Sequence, residues 1–331
     1  MLRRVLISFV VGLLLVAGTA AAGLFWLQFR FTAPGPATAA QTLVLPRGAG
    51  VLAIARELQA HGVISDARAF AIAVRLRRQQ RDLQAGEYSF AAHASMRQVL
   101  EQLRAGRTVV RRLTVPEGLT VAEVTAVLLA APGLTGELDA VLPEGGLLPE
   151  TYHYSYGDSR TELVARMRQA MADTLAELWQ QRQADLPLAS QAEAVILASI
   201  VEKETALARE RPHIAGVFVN RLRRGMRLQS DPTVVYALTA GQGALQRPLT
   251  RADLTVDSPY NTYRNAGLPP GPIVNPGRAA LAAVLQPLDT EDLYFVADGS
   301  GGHAFARSYK EHQRNVRRWR QVQRSRPKAA D

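Results

Sequence analysis

The spacing of hydrophobic and polar positions changes several times along the chain, and each change marks an element. Val5 to Phe29 carries no charge, with Arg3 and Arg4 before it and Arg30 after it. At about 1.5 Å per residue, such a run crosses a hydrocarbon core of roughly 30 Å. Ala20-Ala21-Ala22 resembles a signal-peptide cleavage site, but the apolar run continues through Leu24, Phe25, Trp26 and Leu27, which favours an uncleaved anchor. The two leading arginines place the N-terminus in the cytoplasm and everything after Arg30 outside. Residues 31–41, rich in Pro, Ala and Thr, read as an extended linker.

Two similar stretches follow. Leu43-Val-Leu-Pro-Arg-Gly48 leads into apolar Val51, Ile54, Ala55 and Leu58, and Leu113-Thr-Val-Pro-Glu-Gly118 leads into Val121, Val124 and Leu128. Each predicts a short strand, a turn and an amphipathic helix. Between them, Gly86–Phe90 predicts a strand and Met96–Leu103 a helix. The character changes at Gly145. Helices are expected over 162–183, from Ser190 past Val201, over 213–224, over 230–238 with Ser230-Asp231-Pro232 at its start, and from Asn275-Pro276 to Leu285. A hairpin is expected over 293–306 and a basic helix over 308–324. The fold class is therefore α+β.

Candidate chemistry sits on the helix after Ser190. Val195, Ile196, Leu197, Ile200 and Val201 make it apolar almost all round. Glu204 follows Val201, Ile200 and Leu197 by three, four and seven residues and continues their face. Glu202 falls on another face, nearer Ala198 and Ser199. A carboxyl held against apolar packing is disfavoured as an anion and keeps its proton near neutral pH, as a general acid for glycosidic cleavage must. The alternative is that both glutamates are solvated near the helix end. The long Pro/Gly/Asn-rich loop 258–276 carries Tyr260, Asn261, Thr262 and Tyr263, whose rings and amides suit a sugar-binding cleft.

Composition narrows the classes. The chain has no cysteine, which excludes thiol catalysis and thiolate metal sites and fits an exported bacterial protein. Its formal net charge is +10, pointing to an anionic partner. For an exported protein that means lipid headgroups or cell-wall polymers rather than nucleic acid. No His/Asp/Glu spacing suits a metal, no loop suits a phosphate, and no cofactor is expected.

Several uncommon runs in one order resemble the endolytic murein transglycosylase (YceG-like) family. They are ASIVEKETA at 198–206, VFVNRL at 217–222, GMRLQSDPTVVY at 225–236, YNTY at 260–263, GLPPG at 267–271, NPG at 275–277 and LYFVADG at 293–299. The resemblance implies cleavage of the β-1,4 bond between N-acetylmuramic acid and N-acetylglucosamine within peptidoglycan strands. The product ends are 1,6-anhydro-N-acetylmuramic acid, and the second glutamate of the EKET run, Glu204, is the acid. Glu202 is the secondary candidate. Asn220, Gln229, Ser230, Asp231, Tyr260, Asn261 and Tyr263 are the expected substrate-binding or supporting residues, with Glu150. The family often has Asp where this chain has Glu150, and commonly Thr where it has Ser230.

The strand–turn–helix units resemble LysM carbohydrate-binding modules, the other reading being ordinary α+β spacers. The expected order is a cytoplasmic tail (1–4), a transmembrane signal-anchor helix (5–29), a linker (30–41), a LysM-like glycan-binding region (42–144), a YceG-like catalytic domain (145–325) and a C-terminal tail (326–331). This implies a single-pass protein of the cytoplasmic (inner) membrane acting on nascent strands, a setting that fits partnership with peptidoglycan synthases (penicillin-binding proteins). A water-using muramidase and a non-catalytic peptidoglycan-binding scaffold are the competing readings.

Overall fold

A computed structural model describes residues 2–138 and 142–325. The expected C-terminal tail, 326–331, lies outside the described residues. The fold is mixed α+β, with small two-stranded sheets among many helices and one apolar helix at the N-terminus. It divides into two compact units, residues 1–111 with 153–157, and residues 112–152 with 158–331. The expected boundary at 144/145 differs from this division, and the second strand–turn–helix copy lies in the larger unit.

In the smaller unit, α1 (Leu2–Thr32) precedes β1 (Gln41–Leu45), α2 (Val51–Ala60), α3 (Ala67–Leu76), β2 (Gly86–Phe90) and α4 (Met96–Arg104). β1 and β2 pair antiparallel, from Gln41 opposite Phe90 to Leu45 opposite Gly86. Alternation sends Leu43, Leu45, Tyr88 and Phe90 inward against Leu58, Phe70 and Leu103. The helices start where short polar side chains cap them. Asp66 accepts from the amides of Arg68 and Ala69, and Ser95 and Gln98 form a reciprocal capping box.

Leu6–Thr32 of α1 is long and apolar enough to cross a bilayer, and its apolar side chains, such as Leu13 and Phe25, are exposed. Its last turn is different. Phe31 is buried in the core of the smaller unit, 6.5 Å from the Phe70 ring, with the Arg77 guanidinium 4.2 Å from its centroid. The segment after it is not the loose linker its composition suggests. The amide of Gly35 donates to His93 O, the amide of His93 donates to Ala37 O, and Ala37 is buried. A Cβ on Gly35 would meet the carbonyl oxygens of Ala94 and Val63 at 2.3 and 2.8 Å, so only glycine fits there. Proline and alanine content signals an absence of periodicity, which a packed irregular segment shares with a free one.

β3 (Val110–Thr114) pairs with β4 (Thr151–Ser155), strands whose residues are divided between the two units. The larger unit continues with α5 (Val121–Ala130), α6 (Arg160–Gln180), α7 (Gln191–Glu204), α8 (Arg211–Arg223), α9 (Asp231–Thr239), α10 (Arg278–Leu285), the antiparallel hairpin β5 (Tyr294–Ala297) and β6 (His303–Ala306), and α11 (Tyr309–Ser325). Its core is built around α7, in which every residue from Ala194 to Val201 is buried. Helices α6, α8, α9 and α10 pack around it, which is why its sequence is apolar on all sides. Ser190 caps it through the Glu193 amide, while the Glu193 carboxylate accepts from the Ala189 amide rather than from Ser190.

Candidate active site

The core helix α7 ends on Glu204, where the chain turns extended at Thr205. Its carboxyl lies deep in the fold at the base of an open cleft, so the residue keeps partial exposure while its charge is poorly solvated. Burial is the main cause that pushes the carboxyl from 4.5 up to about 7, and the nearby Asp231 adds to it. The Ser230 hydroxyl opposes the rise, donating to Oε1 at 2.5 Å. His303 and Arg221 oppose it more weakly through their charge.

Ser230 is held for this task. It is the N-cap residue of α9, yet its side chain makes no capping bond. Its amide donates to Thr262 Oγ1 at 3.0 Å, and its carbonyl accepts from Thr233 Oγ1 at 2.7 Å. Thr233 and Thr262 are themselves buried and bonded to each other at 2.9 Å. The preceding Gln229 has φ +51°, a left-handed conformation costly for a residue with a Cβ, and its amide donates to Thr262 O. The loop 258–276 thus fixes the residue that touches Glu204, through Thr262.

Two recesses meet at Glu204. One, of about 420 Å³, takes Gln229, Asp231, Tyr263 and Arg221, together with Tyr294, Tyr309 and His312 from β5 and α11. The other, of about 380 Å³, is lined by Gly118, Lys203, Thr205 and the cluster Glu117, Glu202 and Arg211. A third and more apolar recess of about 380 Å³ shares Lys203 and Asp231 with these two, and Val235, Tyr236 and Ile273 line it. Tyr263 donates its hydroxyl proton to Asp231 Oδ1 at 2.6 Å, and burial followed by that carboxylate raises the phenol further above its ordinary value. Arg221 is buried and donates to the carbonyls of Leu293 and Leu228.

Glu202 has a different environment. Its side chain is 4% exposed, one oxygen accepts from Arg211 Nη2 at 3.0 Å, and the other accepts from the Gly277 amide at 2.9 Å. Burial raises its pKa, and the Gly277 amide and Arg211 oppose the rise. It is a clamp between α7, α8 and the start of α10.

Gln229, Ser230, Asp231 and Tyr263 therefore gather around Glu204. Four other candidates do not. Asn220 donates to the carbonyls of Thr290 and Asp292, holding the approach to β5. Asn261 is fully buried and donates to Leu254 O and Val256 O. Tyr260 packs on Tyr236 with centroids 4.7 Å apart. Glu150 is exposed and lines neither recess at Glu204. His303 pairs with Glu210 at 2.7 Å, a structural hydrogen bond in keeping with its place after the glycine-rich turn. Sequence reasoning passed over Arg221, Tyr294, Tyr309 and His312, because one arginine among thirty-nine Lys and Arg residues, a tyrosine in a hairpin strand and two rings on a basic helix give no local signal of a site. Among the described residues, no cluster of three or more His, Cys, Asp or Glu side chains could hold a metal ion.

Residues 43–318 match the YceG-like family. The chain is 30% identical over 299 aligned residues to the endolytic murein transglycosylase of Bacillus subtilis (strain 168), covering 81% of each protein. Over 366 aligned positions it is 30% identical to the endolytic murein transglycosylase of Streptococcus pneumoniae serotype 2, covering 95% of this chain and 65% of the relative. The crystal structure of a yceG-like protein from Listeria monocytogenes superposes with a TM-score of 0.52 at 30% identity, covering 83% of this chain and 98% of the other.

Proposed function

The chain belongs to the YceG-like family, and from that premise we propose that it is an endolytic murein transglycosylase, a lyase acting within peptidoglycan glycan strands, with Glu204 as its catalytic acid and base. One observation carries the residue assignment. The Glu204 carboxyl stays protonated to about pH 7 at the end of a buried helix, and it opens into recesses on two sides. A strand crossing the carboxyl places one sugar in each recess and the scissile bond between them.

Glu204 donates its proton to the glycosidic oxygen between N-acetylmuramic acid and N-acetylglucosamine as the C1–O bond breaks through an oxocarbenium-like state. The leaving sugar departs as an alcohol. Glu204, now a carboxylate, takes the proton of the muramoyl C6 hydroxyl, whose oxygen closes on C1 to give the 1,6-anhydro end. The carboxyl returns to its protonated form, and no water is consumed. The nucleophile is already tethered to the reacting ring, which removes most of the entropy of recruiting one. A group with a pKa near the working pH serves both halves. Ser230 engages Oε1 and leaves Oε2 to carry the proton.

The apolar helix α1 supports membrane anchoring, and Arg3 and Arg4 support an N-terminus in the cytoplasm, with the bulk of the chain on the far side of the inner membrane. That position favours nascent strands as substrate and peptidoglycan synthases as neighbours. The β1–α2 unit, and the β3–α5 unit that repeats its order, support a LysM-like contact with the same glycan. Asp231, in the same recess as Glu204, supports one second reading, a hydrolase that activates water.

Full-length protein in detergent, wild type and Glu204→Gln, incubated with purified peptidoglycan, separates these readings by mass spectrometry of the released ends. Anhydro-muramoyl ends from wild type alone are expected. Reducing ends would establish the hydrolase, and no release by either protein would favour a binding scaffold.

A further inference from the structure

The recess that holds Glu204 has lining from two sources. The end of α7 and the start of α9 supply the carboxyls. β5 and the first turn of α11 supply four aromatic rings that the chemistry above does not use, Phe295 and the three of Tyr294, Tyr309 and His312. Tyr294 and Tyr309 have centroids 6.0 Å apart, Tyr294 and His312 5.2 Å apart at 23°, and Tyr309 and His312 6.4 Å apart. The three form one contiguous aromatic patch.

We propose that this patch is a sugar-stacking subsite, in which Tyr309 takes the C–H face of an N-acetylated hexosamine ring of the glycan strand while Tyr294 and His312 hold the platform in place. The proposal rests on the transglycosylase reading and extends it to how the strand is gripped.

The rings differ in how they are held. Tyr294 sits 5.4 Å from the Arg221 guanidinium, which is locked by its bonds to Leu293 O and Leu228 O, so the base of the platform is rigid. His312 is partly buried, and burial followed by the Arg221 charge lowers its pKa, so at neutral pH it contributes an uncharged ring. Tyr309, in contrast, is 60% exposed although it lines a recess. A large aromatic left in solvent on a pre-formed platform is unspent binding surface. A pyranose complements it, with an apolar C–H face for the ring and hydroxyl and acetamido edges for groups such as Gln229 in the same recess.

The competing view is that Tyr309 only docks α11 onto β5. The test uses full-length Glu204→Gln protein in detergent, which cannot turn over, and uncrosslinked peptidoglycan strands bearing their stems, with affinity read by titration calorimetry. Adding Tyr309→Ala is expected to weaken binding about tenfold, the scale of one stacked ring, with an unchanged melting temperature. Tyr309→Phe keeps the parent affinity, and the emission of Tyr309→Trp shifts on saturation.

Equal affinity of parent and Tyr309→Ala, or an indole whose emission ignores the strand, overturns the platform while leaving the transglycosylase reading intact. A lowered melting temperature with unweakened binding establishes the docking role instead. If the parent binds no strand and the wild type releases no anhydro ends, the underlying reading falls and the platform with it.

Discussion

Removing the Ser230 hydroxyl is the sharpest perturbation of the acid. In the folded protein this group donates to Glu204 Oε1 and is the largest influence opposing the rise of that carboxyl to about 7. A hydrogen bond to a charged acceptor contributes on the order of 1.5–3 kcal/mol, part of which water entering the space vacated by the hydroxyl restores. Because about 1.4 kcal/mol corresponds to one pH unit, Ser230→Ala should raise the Glu204 pKa by about one unit. The first chemical step needs the protonated acid, so kcat/KM falls as pH rises through that value in the wild type. In Ser230→Ala the same limb moves about one unit higher, and kcat at neutral pH falls because the weaker acid donates its proton less readily in the first step. Ser230→Thr should keep the wild-type limb, since the hydroxyl is retained. The assay is the pH profile of anhydro-end release. A limb that stays in place or moves lower in Ser230→Ala would refute the coupling of Ser230 to the acid.

Stability should follow the same carboxyl. The folded pKa lies above the ordinary 4.5, so the unfolded chain loses its proton first and folding stability falls as pH rises between 4.5 and about 7. Glu204→Gln, which never ionises, should therefore match wild type near pH 4 and exceed it at pH 8 by up to about 3 kcal/mol in chemical denaturation. Glu144 should act likewise. Burial raises it to about 7, Oε1 accepts the Val121 amide, and Oε2 is buried with no partner among the described residues, so Glu144→Gln should gain stability over the same pH window. Glu202→Ala leaves the Gly277 amide without its acceptor and the partly buried Arg211 with Glu117 alone, and should cost about 1–3 kcal/mol, seen as a lower melting temperature. Gly35→Ala drives a Cβ into two backbone carbonyls and should lower the melting temperature of the smaller unit without altering anhydro-end chemistry.

The legible parts of this chain are those whose cause is local. The all-apolar helix α7, its start at Ser190 and the facial position of Glu204 each follow from residues within one or two turns. What could not be read depends on partners far along the chain. Ser230 reads as an N-cap by type and spacing, but its hydroxyl is diverted to Glu204 because Thr262, thirty-two residues on, fixes its backbone. Asn261 and Asn220 have the residue types of sugar binders and instead satisfy buried carbonyls, a use that no sequence pattern distinguishes. Helix α3 carries a start signal in Asp66 that the reading of the sequence did not use, whereas strand β4 has only its short alternation. Residues 33–40 looked like a tether because packing against His93 leaves no periodic trace.

That last difference bears on how the enzyme must be studied. Phe31 belongs to the core of the smaller unit, and Gln28 accepts a hydrogen bond from Arg77 at 2.9 Å. A soluble fragment beginning at Gln41 therefore removes a core aromatic as well as the anchor. Deleting a buried Phe side chain costs about 3–5 kcal/mol, a large share of the stability of a unit this size. Loss of activity in such a fragment would report on packing rather than on a need for the membrane. The two effects separate if only the apolar stretch up to Leu24 is removed, so that Gln28, Arg30 and Phe31 remain. A fragment trimmed there should melt near the full chain and release anhydro ends, whereas one trimmed at Gln41 should melt well below it. Equal melting temperatures for the two would show that the end of α1 contributes nothing to the unit it enters.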